Sequence, residues 1–546
     1  MGEKLNLKWV TDTIGNDYKH WRSGDIVTIQ AQTGTGKTYF IKNTLIDYLG
    51  QYEKLLFICN RVNLKRQLKI DLLKKFGLKT PKDEEGNIDF EELDKLTQIE
   101  NITIISYQAI QENMLDVEYG KDSEIDLDTY DFIVCDECHY IFSDADFVNK
   151  TISAYLKLIY KHTPLSIKIF ISATIDELKN CIINCAKKVI GRVEIHEYST
   201  GIDYRYLNVK YFNNNIVDII NLIKNDTSDE KWLIFVSKIS DAEKIKETLE
   251  EDKTGIAEII KSGSNNKELE SIIKNNKFEC KVLVCTKAMD NGINIQDDKL
   301  TNIVIMAWDK ITFIQELGRK RINIEDAQEV NLYIPTKYKK SFVNRLNKIY
   351  DRKIKLTNLL EKNKNEFGRR FDRDYKKLPS DIFYKDKKSG WSINPVGYFR
   401  LQKDIDFTNK IINDFKTTGK FAFVKEQLKW LELEDTFSPL NLIEKVILDE
   451  DKDNLEEYLN SIVGQVMLES KNRKELIENI KLIDSHNSCI KKNKIKYVNN
   501  RETLNSYLLN DLELDFYIKK FETSKIEEGV KKNFKSAWKV LKLSEQ

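Results

Sequence analysis

A glycine-rich segment near the amino terminus, Ala31–Thr38 (AQTGTGKT), combines residue types that can bind phosphate groups. Glycine lets backbone amides turn toward a pyrophosphate, and the amino-terminal end of a following helix adds partial positive charge. Lys37 can reach the outer phosphates, and the Thr38 hydroxyl can bind magnesium. The segment lies between the strand-like DIVTIQ and a helical stretch, which is the context that a phosphate-binding loop requires. The candidate phosphate-binding residues are Gly34, Thr35, Gly36, Lys37 and Thr38.

An acidic segment, Asp136-Glu137-Cys138-His139, directly follows the apolar run DFIVC. The Asp136 carboxylate, at the end of a buried strand, can hold the magnesium ion that Thr38 also binds. The adjacent carboxylate of Glu137 can then polarise an attacking water molecule. The alternative interpretation is an ordinary strand end with a salt-bridged aspartate, which we would favour only if the phosphate-binding loop were absent.

Both segments need strands to position them, and the apolar runs of the sequence predict these strands. Continuous apolar runs separated by amphipathic stretches indicate strands buried on both faces of a parallel sheet. The pattern occurs twice, in residues 1–200 and again in residues 201–336, and therefore predicts two tandem α/β domains. The runs are DIVTIQ, LLFICN, ITIIS, DFIVCD and IKIFIS in the first part and NVKYF, WLIFV, GIAEII, KVLVCT, NIVIMAW and VNLYIP in the second.

Residues 337–546 contain long charged stretches of helical pattern, which predict a mainly α-helical C-terminal domain. Its first part, residues 337–400, carries 19 lysines and arginines against 7 acidic residues, a net charge of +12. Such a segment suits a nucleic-acid backbone with bases stacked on aromatic rings, and we single out Arg369 and Arg370 for phosphate contacts. A solvated, lysine-rich helix face is an equally good interpretation. The aromatic residues concerned are Tyr375, Phe383, Tyr384 and Trp391.

The overall composition excludes a disordered, fibrous or membrane-spanning chain. Hydrophobic residues make up 41% of the 546 residues, and there are only 21 glycines and 6 prolines. The longest apolar runs, such as IVIMAW, have the length of strands and are far shorter than the roughly 20 residues that cross a bilayer. No targeting signal is apparent, so we expect a soluble, cytoplasmic protein with reduced cysteines and no membrane partner.

Taken in order, these segments resemble the motifs of the superfamily-2 helicases and translocases, of the DExH-box type. The resemblance spans about residues 20–336, with the order and spacing of the family, and leaves the C-terminal domain outside. Seven segments carry it: AQTGTGKT as motif I, CNRVNLKRQ (59–67) as motif Ia, DECH as motif II, SAT (172–174) as motif III, LIFVSK (233–238) as motif IV, VLVCTKAMDNGINI (282–295) as motif V and QELGRKR (315–321) as motif VI.

The resemblance implies two tandem RecA-like parallel-sheet domains that bind ATP and Mg²⁺ between them. It implies Thr38 and Asp136 as magnesium ligands and Arg319 as the arginine that reaches the γ-phosphate. The family's second arginine would fall at Ile322, and Arg321 comes one residue earlier. The further residues implied are Glu137, Gln315 and Arg321 for catalysis, Gly292 for the nucleotide, His139, Ser172 and Thr174 for coupling, and Arg61, Gln67, Ser106 and Thr286 for nucleic acid.

We therefore expect an ATP-dependent helicase or translocase that acts on DNA or RNA, with protein partners through the C-terminal domain. A first alternative is a duplex-translocating motor of a restriction or phage-defence complex that does not separate strands. A second is a slow, nucleotide-gated binding switch. Hydrolysis stimulated by nucleic acid would exclude the switch, and strand displacement would separate the other two.

Overall fold

Two compact units make up the chain, one of Met1–Lys210 with Glu230–Ser438 and one of Tyr211–Asp229 with Pro439–Gln546. None of the helices described is both long and apolar enough to cross a membrane. The computed structural model describes residues 2–60, 62–110, 125–143, 152–160, 165–188, 193–213, 216–251, 255–261, 267–286, 294–386, 390–443, 449–486, 501–527 and 530–543.

The first sheet of the first unit has seven strands. They are β1 (Ile26–Gln30), β2 (Leu55–Ile58), β3 (Gln98–Ile99), β4 (Ile102–Ile105), β5 (Phe132–Asp136), β6 (Ile167–Ser172) and β7 (Ile195–Ser199). Their order is β3-β4-β2-β5-β6-β1-β7, and all neighbours run parallel except β3, which is antiparallel to β4. All five apolar runs predicted for this part form strands. Because β1 and β5 run in the same direction, their carboxyl ends bring the glycine loop and the acidic segment 136–139 to one edge of the sheet.

Helical segments cover both faces of this sheet. Alternate residues of β2 enter different hydrophobic clusters: Leu55 and Phe57 pack in one, Leu56 and Ile58 in the other. This double burial explains why the run is continuously apolar. The helical segments are Val10–Ile14, Lys37–Phe40, Ile41–Leu45, Ile46–Tyr48, Val62–Lys75, Phe90–Lys95, Tyr140–Ser143, Ile152–Tyr155, Leu156–Tyr160 and Asp176–Ala186.

A second sheet follows the same plan. Its strands are β8 (Leu207–Asn213), β9 (Lys231–Phe235), β10 (Ala257–Ile260), β11 (Val282–Cys285), β12 (Leu300–Ile305) and β13 (Val330–Thr336). Their order is β10-β11-β9-β12-β13-β8, and β9 to β13 pair in parallel. The helices of this part are Ile239–Leu249, Lys267–Asn275 and Lys310–Leu317. The prediction of two tandem RecA-like parallel-sheet domains is confirmed.

Residues 337–438 belong to the first unit and are mainly helical, as predicted. The small hairpin of β14 (Phe383–Asp386) and β15 (Gly390–Ile393) packs with the helices in a cluster of its own. Phe383 and Trp391 are buried in this cluster beside Phe367, so these two rings cannot stack on bases as the sequence suggested. The helical segments are Lys339–Asn344, Arg345–Tyr350, Asp351–Lys362, Lys364–Phe371, Pro395–Thr418 and Ala422–Trp430.

The long helix Pro395–Thr418 contacts both α/β domains of the first unit. Toward the first sheet, Arg400 Nη1 donates to the Phe142 carbonyl at 3.1 Å, and Lys403 Nζ lies 3.2 Å from a Glu177 carboxylate oxygen. Toward the second, Arg400 Nη2 lies 4.0 Å from Asp309 Oδ2. This helix therefore packs on both α/β domains of the first unit.

The second unit combines the end of β8 with the last hundred residues of the chain. Tyr211 and Phe212 of β8 pair with β16 (Leu442–Ile443), and a separate antiparallel sheet has the order β17-β19-β18. The strands of that sheet are β17 (Val466–Met467), β18 (Phe516–Glu527) and β19 (Val530–Lys542). The helical segments are Val217–Asn225, Asp449–Ser461, Lys474–His486, Arg501–Ser506 and Tyr507–Asp511.

The predicted domains, residues 1–200, 201–336 and 337–546, stay predictions. Packing assigns residues 337–438 to the first unit and residues 439–546 to the second. The predicted boundaries at 200 and 336 follow the ends of the two sheet patterns.

Candidate functional site

The glycine loop leaves β1 in a conformation that only its glycines adopt without strain. Gly34 has a φ of 95° and Gly36 a φ of 84°, both in the left-handed region. The Thr35 hydroxyl is buried and donates to the Gln32 carbonyl at 2.8 Å, and the Thr35 carbonyl accepts from Val10 N at 3.0 Å. The loop is thus held by its own side chains and by the amino-terminal segment.

Neighbouring segments approach this loop closely. A Cβ atom on Gly34 would lie 3.3 Å from the Ile322 carbonyl oxygen, and one on Gly36 would lie 3.2 Å from Trp9 Cε3. A Cβ atom on Gly318 would lie only 2.7 Å from Thr33 Oγ1. The residues of motif VI, from the second sheet domain, therefore pack directly on the phosphate-binding loop of the first.

The acidic pair stands where β5 ends. Tyr107 Oη donates a hydrogen bond to the Asp136 carbonyl at 2.9 Å, which helps to hold the end of the strand in place. Glu137 has a φ of 47°, an unusual value for a residue with a side chain. Its Oε1 lies 2.8 Å from Lys37 Nζ, and both side chains are largely buried, with 12% of Lys37 and 7% of Glu137 exposed. This ion pair connects the glycine loop with the acidic segment 136–139.

A cavity of about 620 Å³ contains the two segments and extends to the second sheet domain. Asp136 and Glu137 line it together with Arg321, which comes from the second domain. Arg319 does not line it. Its other lining residues are Gly34, Gly36, Lys37, Thr38, Tyr39, Leu64, Arg66, Gln67, Ile70, Phe90, Ile272, Ile273, Asn276 and Asn294.

Arg319 is buried, with 3% of its surface exposed. Its carbonyl accepts from Ile295 N at 2.8 Å. It is close to Cys285: burial raises the pKa of that thiol well above its ordinary value, and the Arg319 charge opposes the rise. Gln315 is half-buried on the helix Lys310–Leu317, and Thr286 is buried directly after β11.

The predicted coupling residues form a connected chain that starts at Glu137. His139 Nδ1 lies 3.3 Å from Glu137 Oε2 and 2.9 Å from Ser172 Oγ. Ser172 Oγ lies 3.3 Å from Thr174 Oγ1 and accepts from the Thr174 backbone amide at 3.1 Å. His139, Ser172 and Thr174 are all buried. Side-chain contacts therefore connect Glu137 with Ser172 and Thr174.

The donor set at one side of the cavity suits magnesium. The Thr38 hydroxyl and the Asp136 carboxylate both line it, and Mg²⁺ prefers such oxygen ligands. The thiols next to the acidic pair do not compete, because burial raises the pKa of Cys135 to about 12 and also raises that of Cys138. Asp25, Glu194 and His196 form another cluster of potential ligands, but Asp25 precedes β1 and the glycine loop follows it, so the cluster belongs to the opposite edge of the sheet.

The predicted nucleic-acid residues are found in several places. Ser106 Oγ accepts from the Ala109 backbone amide at 3.1 Å, so this hydroxyl already has a structural role at the start of a helical turn. Gln67 lines the phosphate-loop cavity. Arg369 and Arg370 are exposed near the end of the helix Lys364–Phe371, and Arg370 lines a second, open cavity of about 630 Å³. Arg61 and Gly292 lie outside the described residues.

Sequence reasoning missed several residues of the phosphate-loop cavity. Arg66 and Asn294 fall inside the segments compared with motifs Ia and V, so a closer inspection of those segments could have found them. Asn276 carries no such signal, and neither does Trp9, which lies beside Gly36 of the loop without lining the cavity. Their positions depend on how the amino-terminal segment packs on the loop and on how the helix Lys267–Asn275 reaches the cavity.

Comparisons with protein families agree with this architecture. Residues 8–177 match the family model described as the res subunit of type III restriction enzymes, and residues 214–323 match that of the helicase conserved C-terminal domain. The two models fall on the two sheet domains in order. They support the resemblance to superfamily-2 helicases, whereas the DExH subtype rests on the DECH segment alone.

Solved structures of helicases are similar over more than half of the chain. S. cerevisiae Dbp5 bound to RNA and ADP BeF3 is 18% identical, over 58% of this chain and 81% of its own, with a TM-score of 0.42. The DEAD-box helicase Mss116 bound to ssRNA and UDP-BeF is 18% identical, over 62% and 71%, with a TM-score of 0.44. Mycobacterium smegmatis Lhr bound to ssDNA and AMP-PNP is 14% identical, over 60% and 45%, with a TM-score of 0.39. A comparison with curated protein sequences finds no match.

Proposed function

We propose that this protein is an ATP-dependent motor, a helicase or translocase that couples ATP hydrolysis to movement along DNA or RNA. One observation carries the proposal: a single cavity is lined by the glycine loop, by the acidic pair and by Arg321 from the other sheet domain. Catalysis of phosphoryl transfer depends on positioning and on charge, so a site assembled from two domains links hydrolysis to their relative movement.

ATP is held in this proposal by the glycine loop, whose amides face the phosphates, and by Lys37. In the structure described, the Lys37 ammonium group contacts Glu137. The incoming phosphates compete for this ammonium group, so ATP binding separates the ion pair and leaves Glu137 available to orient water. The same event changes the contact between Glu137 and His139, which lies 3.3 Å away.

Thr38 and Asp136 would hold a magnesium ion, which would supply positive charge to offset the negative charge of the phosphates. Glu137 takes a proton from the attacking water or orients it, and Gln315 assists from the second domain. Arg319 and Arg321 supply the charge that the transition state needs. The family spacing favours Arg319, while the lining of the cavity supports Arg321. We propose the DExH subtype from the DECH sequence.

Nucleic acid, in this proposal, follows the cleft residues Arg61, Ser106 and Thr286 and continues onto Arg369 and Arg370. The exposure of the two arginines at the end of their helix supports this path. The chain His139–Ser172–Thr174 transmits the state of the nucleotide toward the cleft. Gly292 is proposed at the nucleotide from its place in motif V.

The decisive experiment measures ATP hydrolysis by the full chain with no nucleic acid and with single-stranded and duplex DNA and RNA. We expect a severalfold stimulation by at least one of the four, and none in a Lys37→Ala variant. Equal rates with and without every nucleic acid would contradict the motor and favour the nucleotide-gated switch.

The match of residues 8–177 to a restriction-enzyme subunit favours one alternative, a motor that moves along duplex without separating it. Strand displacement distinguishes the two. A labelled partial duplex released with ATP supports a helicase. Displacement of a triplex-forming strand from an intact duplex, without release of the duplex strands, supports the translocase.

A further inference from the structure

The longest strands among the described residues form a hairpin in the second unit. β18 and β19 pair from Phe516 with Lys542 to Glu527 with Val530, with an irregularity in register between Phe521 and Thr523. The base of the hairpin is anchored, because Phe516, Ile518, Trp538 and Val540 are buried in the hydrophobic cluster of this unit. Beyond this base, most side chains from Lys519 onward are exposed.

The charge of the hairpin is strongly positive. Between residues 516 and 542 there are 8 lysines and 3 glutamates. The register sets Lys519 directly opposite Lys539 and Lys525 directly opposite Lys532. Like charges on directly facing positions of neighbouring strands destabilise a sheet. A bound anion would offset this repulsion. Facing lysine pairs are therefore consistent with a surface that binds an anionic ligand.

An open groove of about 700 Å³ lies along this hairpin. We call it the hairpin groove. Arg501 is positioned at its wall, with Nη1 3.2 Å from Tyr517 Oη and 3.3 Å from the Ile518 carbonyl oxygen. Four cationic side chains line the groove against a single carboxylate, that of Glu522, and two half-buried rings lie among them. The cations and rings are Arg501, Lys519, Lys520, Lys535, Tyr517 and Phe521.

We propose that the hairpin groove binds single-stranded nucleic acid, a contact separate from the motor cleft and from residues 337–400. The cations match the phosphates, and Tyr517 and Phe521 offer faces on which unpaired bases can stack. A duplex keeps its base faces covered, so it could use the cations but not the rings. This inference rests on the proposed function, since it assigns a further contact for the same substrate class.

The charge test uses the full chain with Lys519, Lys520 and Lys535 all changed to Gln. Its binding to a single-stranded oligonucleotide is measured by fluorescence anisotropy over a range of salt concentrations. We expect the slope of log K against log salt to fall by about 2, because each phosphate that is no longer neutralised removes roughly 0.7. A matched control changes Lys74, Lys79 and Lys82, three exposed lysines of the first unit, to Gln and should bind as the wild type does.

The ring test compares Phe521→Ala with Phe521→Tyr. The alanine variant should bind the single strand about tenfold more weakly, and the tyrosine variant, which keeps a ring, should bind normally. ATP hydrolysis without nucleic acid should be unchanged in every variant. The midpoint of thermal unfolding checks that each variant is folded, and the lysine variant should unfold no earlier than the wild type because it removes repulsion.

An unchanged salt slope in the lysine variant would overturn the proposal. So would a Phe521→Ala variant whose binding to duplex is weakened as much as its binding to the single strand. So would a tyrosine variant that binds as weakly as the alanine variant. Failure of the proposed function looks different, since the wild type itself would then neither bind nucleic acid nor hydrolyse ATP faster in its presence.

Discussion

Lys37 Nζ lies 2.8 Å from Glu137 Oε1, so the cation that should hold phosphates contacts the carboxylate that should act on water. The two residues belong to different motifs and are buried together at the carboxyl edge of the first sheet. In the proposed mechanism, the phosphates of ATP compete with Glu137 for Lys37. This competition makes the two side chains experimentally distinguishable.

The first prediction concerns this pair. Lys37→Ala and Glu137→Gln should both reduce ATP hydrolysis at least about 10²-fold, because one removes a cation that holds the phosphates and the other the group acting on water. They should differ in binding. Lys37→Ala should bind a labelled ATP analogue more weakly, whereas Glu137→Gln should bind it at least as well as the wild type because Lys37 then has no anionic neighbour at that position. An equal loss of affinity in both would contradict the roles assigned here.

The second prediction separates the two arginines of motif VI. If Arg319 contacts the γ-phosphate, Arg319→Ala should lower hydrolysis by about 10³-fold or more while leaving nucleotide binding near normal. If Arg321 does so, as its place in the cavity suggests, the larger loss should fall on Arg321→Ala. Single-turnover hydrolysis and nucleotide titrations of both variants decide. Wild-type rates in both would refute the assignment of motif VI.

The third prediction tests the coupling chain. Ser172→Ala removes the hydroxyl that lies 2.9 Å from His139 and accepts from the Thr174 amide. Basal hydrolysis should persist, while stimulation by nucleic acid should fall severalfold, because the connection between Glu137 and motif III is broken. Thr174→Ser keeps its hydroxyl and serves as the control, with near wild-type stimulation expected. Equal stimulation of Ser172→Ala and wild type would mean that the chain is only structural.

The fourth prediction concerns the basic C-terminal helices. Arg369, Arg370 and Lys376 are exposed, so their joint change to Glu should weaken nucleic-acid binding for all sequences alike. The salt slope should decrease by about 0.7–0.9 for each phosphate that these side chains neutralise in the wild type, and basal hydrolysis should survive. Reversal of Lys187, Lys188 and Lys244, also exposed, provides a control of equal charge. Identical binding of the two triple variants would favour a solvated helix face.

The fifth prediction is a pH dependence at Asp404, on the long helix that contacts both α/β domains. Burial raises the pKa of Asp404 to about 6, although Arg400, Arg345 and Lys353 oppose the rise. The folded state therefore binds the proton more tightly than the unfolded state, whose carboxyl has a pKa of about 3.9. The contribution of this group to the free energy of unfolding should fall as the pH rises from about 4 to 6 and stay level above that.

Asp404→Asn removes this titration. The thermal midpoint of the variant relative to the wild type should therefore be higher at pH 7 than at pH 5. A difference between the two proteins that does not change with pH would contradict the assigned pKa.

Much of the fold follows from local sequence. Each predicted apolar run of the two α/β domains forms a strand. A strand buried on both faces needs a run of apolar residues, and such a run can be recognised within the segment itself. The glycine loop is equally local, since Gly34 and Gly36 adopt left-handed conformations that the residue type permits by itself. The hairpin of β18 and β19 was not predicted. Apolar and polar residues alternate clearly only at its base, which is buried, and the many lysines beyond the base hide this strand pattern.

Tertiary structure alone decided which of the candidate residues meet. The ion pair of Lys37 and Glu137 spans a hundred residues of chain, and the choice of Arg321 over Arg319 as a cavity residue depends on how the second sheet domain packs on the first. Tryptophan is a residue type on which bases can stack, but Trp391 is buried by packing against Phe367. Sequence specifies what each segment can form, whereas burial and pairing between distant segments are set by the three-dimensional packing that excludes water from them.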